Sequence, residues 1–422
     1  MWERIKHIWN IKDLRNKILF VIGMLVVFRL AAHIPVPGVN TENLRNFIGG
    51  NQILGLLNVF SGGTMENFSV VMLGVGPYIT ASIIFQLLAM VIPSLEEITK
   101  EGESGQQRIN MYTRLLTVPL ALLQAFAMIK LLGQSQNQII GDLNLYKYIA
   151  TMITITAGTI FLMWVGELIT EKNVGNGISI IIFANIVSRL PTVFQNALVN
   201  YNPSQLYTYL LFLALAIITI VGVVIISEGQ RNIPINYAKQ IRGNRVFGGA
   251  STHLPLRVNM AGVIPIIFAI SVVLFPPMVA QFFANGAGFL AHASQFIIRA
   301  FNNQLVYAIV YFVLVFGFTY FYTAVIFHPQ KIAENLQRQG AFVPGIRPGK
   351  QTEEYLQKTM NHLLFPGALF LGIIAILPLV VQAFTGSQSL AIGGTSLLIV
   401  VSVAIETTKQ IESQVKMHEY DR

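Results

Sequence analysis

Ten apolar segments run through this chain of 422 residues, at 18–34, 69–92, 115–133, 148–169, 177–199, 205–227, 258–283, 304–327, 362–384 and 391–408. A hydrocarbon core about 30 Å thick takes roughly 20 apolar residues of helix, and each segment is close to that length. Charged residues make up only 11% of the chain, against about 25% in ordinary soluble domains. The segments lack the period-2 alternation of a membrane barrel. These features predict an all-α, polytopic membrane protein of ten transmembrane helices.

The placement of charge sets the expected topology. Of the 28 Lys and Arg residues, 22 fall on the N-terminus, the C-terminus and four alternate connections. Five others (Arg45, Lys130, Lys147, Arg189 and Arg299) lie on the remaining connections or at span ends near them, and Arg29 lies inside span 1. Basic residues stay on the cytoplasmic side of a membrane, so both termini and loops 2–3, 4–5, 6–7 and 8–9 are expected inside. Span 5 is interrupted by Arg189 and Pro191. If it did not cross, every later basic loop would face outward, so the charge rule requires the crossing. Met1–Lys17 is basic, and the apolar run after it continues into Pro35-Val36-Pro37-Gly38 without a small-residue cleavage site, which predicts a retained helix rather than a signal peptide.

Ten spans divide as five plus five about loop 5–6, an arrangement common where two halves move around a central path. Three stretches are unusual. Ile53–Ser61 is apolar but too short to cross, and Gly62-Gly63 ends it; it fits either a helix lying at the interface or a re-entrant helix filling a cavity. Gly74-Val75-Gly76-Pro77 interrupts span 2, because proline removes a backbone donor; the break reads as an ordinary kink or as a site facing protein or a cavity. Loops 6–7 and 8–9 are long and basic, and the latter holds Gly340, Pro344-Gly345 and Pro348-Gly349. Each fits a solvated connector or a docking surface.

The usual apparatus of catalysis or pumping is missing from the sequence. Ion pumps and proton carriers place ionisable groups within their spans, but the three Asp residues lie outside them, and Glu167, Glu228 and Glu406 sit near cytoplasmic ends. Cysteine is absent, so no disulfide or thiolate chemistry is available. There is no HExxH or GxSxG motif. Gly349-Lys350 is followed by Gln351 rather than Ser or Thr, and Pro344 stands where a P-loop has its first Gly. The expectation is therefore no enzyme, no metal, no cofactor and no direct nucleotide binding. An apolar bundle with basic cytoplasmic loops suits a gated conduit whose seal closes by dewetting and whose driving energy comes from elsewhere. A secondary transporter for a small solute is the alternative that the span count allows.

Several strings carry a family resemblance: Phe60-Ser61-Gly62-Gly63, Gly76-Pro77-Tyr78-Ile79, Gly175-Asn176-Gly177-Ile178-Ser179-Ile180, His253-Leu254-Pro255-Leu256, Asn259-Met260-Ala261-Gly262-Val263-Ile264-Pro265, GAFVPGIRPG at 340–349, and Gly393-Gly394-Thr395-Ser396-Leu397-Leu398-Ile399. In their order and length they resemble the bacterial SecY family, the channel-forming subunit of the Sec protein translocase. The resemblance implies two pseudo-symmetric, inverted halves, 1–190 and 205–422, closing as a clamshell about a central pore and hinged at 191–204. It implies a pore ring of Val75, Ile79, Ile178, Ile182, Ile267 and Ile399, with Val75 standing where Ile is common. It makes 53–66 a plug, including Leu54, Leu57, Phe60, Ser61, Gly62 and Gly63. It places Thr80, Gln86 and Asn259 at a lateral gate between spans 2–3 and 7–8. It assigns loops 228–257 and 328–361, with Arg242, Arg245, Arg347 and Lys350, to docking of the SecA motor ATPase and the translating ribosome. The further partners implied are the SecE and SecG subunits, signal sequences, nascent polypeptide and membrane lipids. The location implied is the bacterial cytoplasmic membrane.

Overall fold

A computed structural model describes residues 9–37, 39–49, 54, 58, 61–133, 144–199, 206–237, 240–242, 245–247, 251–284, 288–385 and 388–420. Each of the ten apolar segments carries a helix. Spans 1 to 5 hold α1 (Lys12–Ala32), α3 (Gly76–Val91), α5 (Glu103–Gly133), α6 (Leu145–Glu171) and α7 (Gly177–Val199). Spans 6 to 10 hold α8 (Leu206–Glu228), α9 (Ile264–Phe283), α11 (Gln304–Ile326), α13 (Lys350–Thr385) and α14 (Gln388–Tyr420). Shorter helices lie between them: α2 (Thr41–Gly49), α4 (Pro93–Lys100), α10 (Phe289–Asn302) and α12 (Pro329–Arg338).

Among the described residues, four helical stretches are by themselves long and apolar enough to cross a membrane: Glu103–Gly133, Leu145–Glu171, Gln304–Arg338 and Lys350–Leu377. A fifth is possible if α3 and α4, bent by 103° at Ile92, count as one span. The apolar stretches Gly177–Thr192, Leu213–Glu228 and Ile264–Pro277 are shorter. Helix faces show why these segments favour lipid. On α1, Leu14, Val21 and Phe28 are buried at heptad spacing, whereas Leu19, Ile22, Val26 and Leu30 are exposed. On α8, Leu213, Ile217, Ile218, Val221 and Ile225 are exposed. An apolar surface this continuous has no stable place in water but matches a hydrocarbon surround.

The helices pack in two groups. In the first, α3 packs on α5, α5 on α6, α6 on α7 and α1 on α6; in the second, α9 packs on α11, α11 on α13 and α13 on α14, while α8 packs chiefly on α14 and less on α13. The groups meet along two lines, α7 against α14 and α9 against α3 and α5. Close approach at α6–α7 needs small residues. A Cβ on Gly177 would stand 1.8 Å from the Gly166 carbonyl oxygen, and the Gly177 N–H donates to Thr170 Oγ1 at 2.9 Å.

Span 2 differs from an ordinary kinked helix. Residues 61–75 run as turns, and α3 begins at Gly76 with Pro77 in its first turn, where a helix has no use for the missing N–H. This stretch is tied to the end of span 1, with Val36 N donating to Phe68 O at 2.8 Å and Val70 N to Ile34 O at 3.0 Å.

The basic loops form sheet rather than open connector. Loop 6–7 contains β1 (Gln230–Tyr237), β2 (Gln240–Arg242), β3 (Arg245–Phe247) and β4 (Ser251–Arg257), and loop 8–9 contributes β5 (Ala341–Phe342). Strand β1 lies between β4 and β5, antiparallel to both, with Ile233 opposite Leu254 and Asn236 opposite Phe342. Ile233, Leu256, Val343, Leu356 and Met360 form an apolar core that joins this sheet to α13.

Candidate functional site

The ring residues come from four helices and converge. Val75 precedes the first turn of α3 and Ile79 follows one turn later, so both fall on one face. Ile178 and Ile182 repeat that spacing on α7; Ile267 comes from α9 and Ile399 from α14. Val75, Ile79, Ile182, Ile267 and Ile399 are buried in one apolar cluster, against which half-buried Ile178 packs. Val75, Ile79, Ile182 and Ile267 also line a cavity of about 90 Å³, together with Ser61, Met65, Thr80 and Ser271. Ile178 turns toward α6, where its Cδ1 lies over Gly166. A water needs about 10–15 Å³ of such space, so the cavity holds a handful of waters and no extended chain. Among the described residues, no charged side chain lines it.

Ser61 and Met65 of the expected plug segment are among the residues that line this cavity. Leu57 and Phe60 lie outside the described residues. Leu54 is buried among Val36, Leu44, Ile48, Met65, Met128 and Ile155. Beyond it the chain is held by its own polar groups. Ser61 Oγ donates to Asn58 O at 3.0 Å, Gly63 N to Asn58 O at 2.9 Å, and Thr64 Oγ1 to Ser61 O at 3.0 Å. The Asn58 amide donates to the Glu66 carboxylate, and Glu66 N donates to Asn58 Oδ1 at 3.2 Å. Gly62 and Gly63 take φ of +73° and +82°, a region that costs other residues about 1–2 kcal/mol. Gly62 also lies so near α7 that a Cβ there would stand 2.3 Å from Asn185 Oδ1.

Two arginines close the arrangement, and neither belongs to the site residues expected from the sequence. Arg29 Nη1 donates to Gly62 O at 3.2 Å, and its Nη2 donates to Ala184 O at 3.1 Å and Asn185 O at 3.2 Å. Arg189 Nη2 meets Glu66 Oε1 at 2.6 Å, each side chain less than a third exposed. The signal in the sequence was Arg29 itself, since a cation inside an apolar span is a functional residue by default. The acceptors were invisible because they are backbone carbonyls, one in the turn at Gly62 and two on the distant α7. Nearer the span ends, Glu167 pairs with Arg114 and Glu228 with Lys409.

The three expected gate residues are not brought together. Thr80 lines the central cavity and donates to Gly76 O at 3.1 Å. Gln86 lies two turns along α3 and donates to Ser82 Oγ at 3.2 Å. Asn259 lines a second cavity of about 370 Å³ with Tyr322, Ser402 and Glu406. Its amide turns back to Gly262 O at 3.1 Å, across a turn in which Gly262 has φ of +61°.

The four expected docking residues lie in two places. Arg242 and Arg245 are register partners in the antiparallel β2–β3 pair, a sheet separate from β4–β1–β5. Arg347 is exposed between β5 and α13, where its carbonyl accepts from Thr352 Oγ1 at 3.0 Å, and Lys350 is exposed at the first position of α13.

A multi-pass helical bundle with apolar side chains from several helices gathered at its centre fits a membrane channel. The sequence model of the SecY family matches residues 69–408. The protein translocase subunit SecY of Corynebacterium glutamicum is 44% identical over 434 residues, covering 97% of both chains. That of Halalkalibacterium halodurans is 44% identical over 430 residues, covering 100% of this chain and 99% of the relative. A solved structure of a protein-conducting channel superposes with a TM-score of 0.65 at 18% identity, covering 94% of this chain and 91% of that one. The chain belongs to the SecY family.

Proposed function

We infer that polypeptide passes through the centre of this bundle. As a SecY-family member the chain is the protein-conducting channel of the Sec translocase, a multi-pass membrane protein and not an enzyme. The observation that carries the route is the apolar closure where helices of both packing groups meet. An apolar rim makes no substrate-specific bonds, seals against ions by dewetting, and parts around side chains of any chemistry.

Ten crossing helices in two inverted halves, 1–190 and 205–422, form a clamshell hinged at 191–204. The consecutive packing of the last four spans in each group supports the repeat. The two contact lines support a hinge at α7–α14 and an opening seam where α9 meets α3 and α5. Unfolded secretory chains cross through the ring, and apolar segments leave through that seam into lipid. Thr80 and Gln86 on α3 and Asn259 before α9 act as its polar positions, and 53–66 acts as the plug. The loops bearing Arg242, Arg245, Arg347 and Lys350 dock the SecA motor or the ribosome, which supplies the energy. SecE and SecG complete the complex. Both termini and these loops face the cytoplasm of a bacterial cell.

The test is crosslinking from a photoreactive residue at Val75 or Ile267 to a secretory chain arrested in transit. Adducts at both positions, and none from lipid-facing Ile217, are expected. Adducts from Ile217 alone would place the route outside the bundle.

A further inference from the structure

The bonds described for the plug segment all end on the first helix group. Arg29 of α1 holds the Gly62 carbonyl and fastens it to Ala184 and Asn185 of α7. Arg189, also on α7, holds Glu66, which holds Asn58. Leu54 and Met65 are packed by Val36, Leu44, Ile48, Met128 and Ile155, all before residue 190. Toward the second group the described residues of the segment present the cavity wall, where Ser61 and Met65 line the same space as Ile267, Ile270, Ser271 and Leu274. Directional, charge-assisted bonds thus lie on one side of the plug and nonspecific apolar contact on the other.

From this asymmetry we propose that Arg29 and Arg189 form a latch that makes the plug part of the first half, so that parting the halves and releasing the plug are separate steps. When α9 moves away from α3, the plug stays with α1 and α7. Release requires both guanidinium groups to give up their acceptors. Each arginine is a positioning residue: Arg29 fixes the turn at Gly62-Gly63, and Arg189 fixes the Asn58–Glu66 bracket. A signal sequence or an arriving chain that opens the seam without disturbing these bonds leaves the path blocked, which sets a second threshold for entry. This inference rests on the plug reading of 53–66.

The natural chain has no cysteine, so one introduced at Leu54 reports the segment by its reaction with a membrane-impermeant maleimide. Leu54 faces the first group and stays covered if the halves merely part. Expected is a labelling rate within twofold of the parent in Ile270→Asn, which sets an unpaired amide into the α3–α9 seam. In Arg29→Ala or Arg189→Ala the rate rises tenfold or more. A cysteine at Leu162, buried in α6, stays unreactive throughout if the fold is intact. Should Arg189→Ala expose that position too, Glu66→Gln removes the ion pair with less disruption and carries the test. Equal labelling in the seam and arginine variants, or none in the arginine variants, overturns the latch. Reactive Leu54 in the arginine variants with unchanged resting ion conductance upholds the latch and overturns the plug reading instead.

Discussion

The approach of Gly62, in the proposed plug, to α7 leaves no room for a side chain, and the cost of adding one can be weighed. Substituting Gly62→Ala places a Cβ 2.3 Å from Asn185 Oδ1, 2.4 Å from its Cγ and 2.7 Å from its Cβ. The last of these atoms is rooted in the α7 backbone, so a rotamer change cannot clear the way, and either the plug or the helix must move. Overpacking of this kind costs about 1–3 kcal/mol, and the φ of +73° at this position adds about 1–2 kcal/mol for a residue bearing a Cβ. Together they disfavour the seated plug by about 2–5 kcal/mol, which is roughly 30-fold to more than 1,000-fold in its equilibrium. Gly63→Ala is the control. It has nearly the same backbone angle, +82°, but its nearest neighbours are atoms of Arg189 at 3.7–3.9 Å, an ordinary contact. Only the backbone strain remains, roughly 5-fold to 30-fold. The assay is resting ion conductance of the purified channel in planar bilayers, paired with export of a substrate carrying a defective signal sequence. Gly62→Ala should leak more and discriminate less than Gly63→Ala, and adding Asn185→Gly should bring it back toward the control. A Gly62→Ala channel as tight as the parent, or the two variants leaking alike, would refute the reasoning.

Further outcomes follow from the same contacts. Asn at Ile79, Ile182 or Ile399 sets an unpaired amide into the seal, at about 1–3 kcal/mol each, and should raise resting conductance or loosen signal selectivity; unchanged conductance and selectivity reject the ring. Arg347→Glu should block export while the chain remains inserted, because an exposed substitution shifts stability by only about 0.5 kcal/mol; normal export in vesicles would remove the docking role. Gly177→Ala drives a methyl group to 1.8 Å from the Gly166 carbonyl oxygen and should lower thermal stability in detergent by about 1–3 kcal/mol. Gly76→Ala, with no neighbouring atom within 4 Å, should not, and equal melting of the two would show that α6–α7 packing tolerates the methyl.

Much of the architecture was legible because hydropathy and charge are local quantities. The ten apolar segments each hold a helix, and Gly62-Gly63 does end the short apolar stretch in a tight turn. Motif resemblance singled out Ile79, Ile182 and Ile267, which line one cavity, although composition alone does not separate them from any other buried isoleucine. Other features depended on partners far away in the chain. The Gly-Pro at 76–77 starts a helix instead of bending one, because residues 61–75 are drawn into turns against the end of span 1. The two basic loops became one module because β5 pairs with β1 across about a hundred residues, a register that neither loop specifies alone.

What the sequence determined by itself was the solvent of each segment. Twenty apolar residues belong in hydrocarbon and clustered lysine and arginine belong in water, whatever lies beside them. What only the tertiary structure decided was the fate of the few polar groups inside. Arg29 stood in the sequence as a lone charge in span 1, yet its acceptors lie 33, 155 and 156 residues away, and all are main-chain oxygens. Every residue carries such an oxygen whatever its side chain, so no side-chain pattern marks these three. Arg189, placed near a span end by its charge, proves to hold Glu66 from 123 residues away. A buried charge must be satisfied, but which atoms satisfy it depends on how the helices pack.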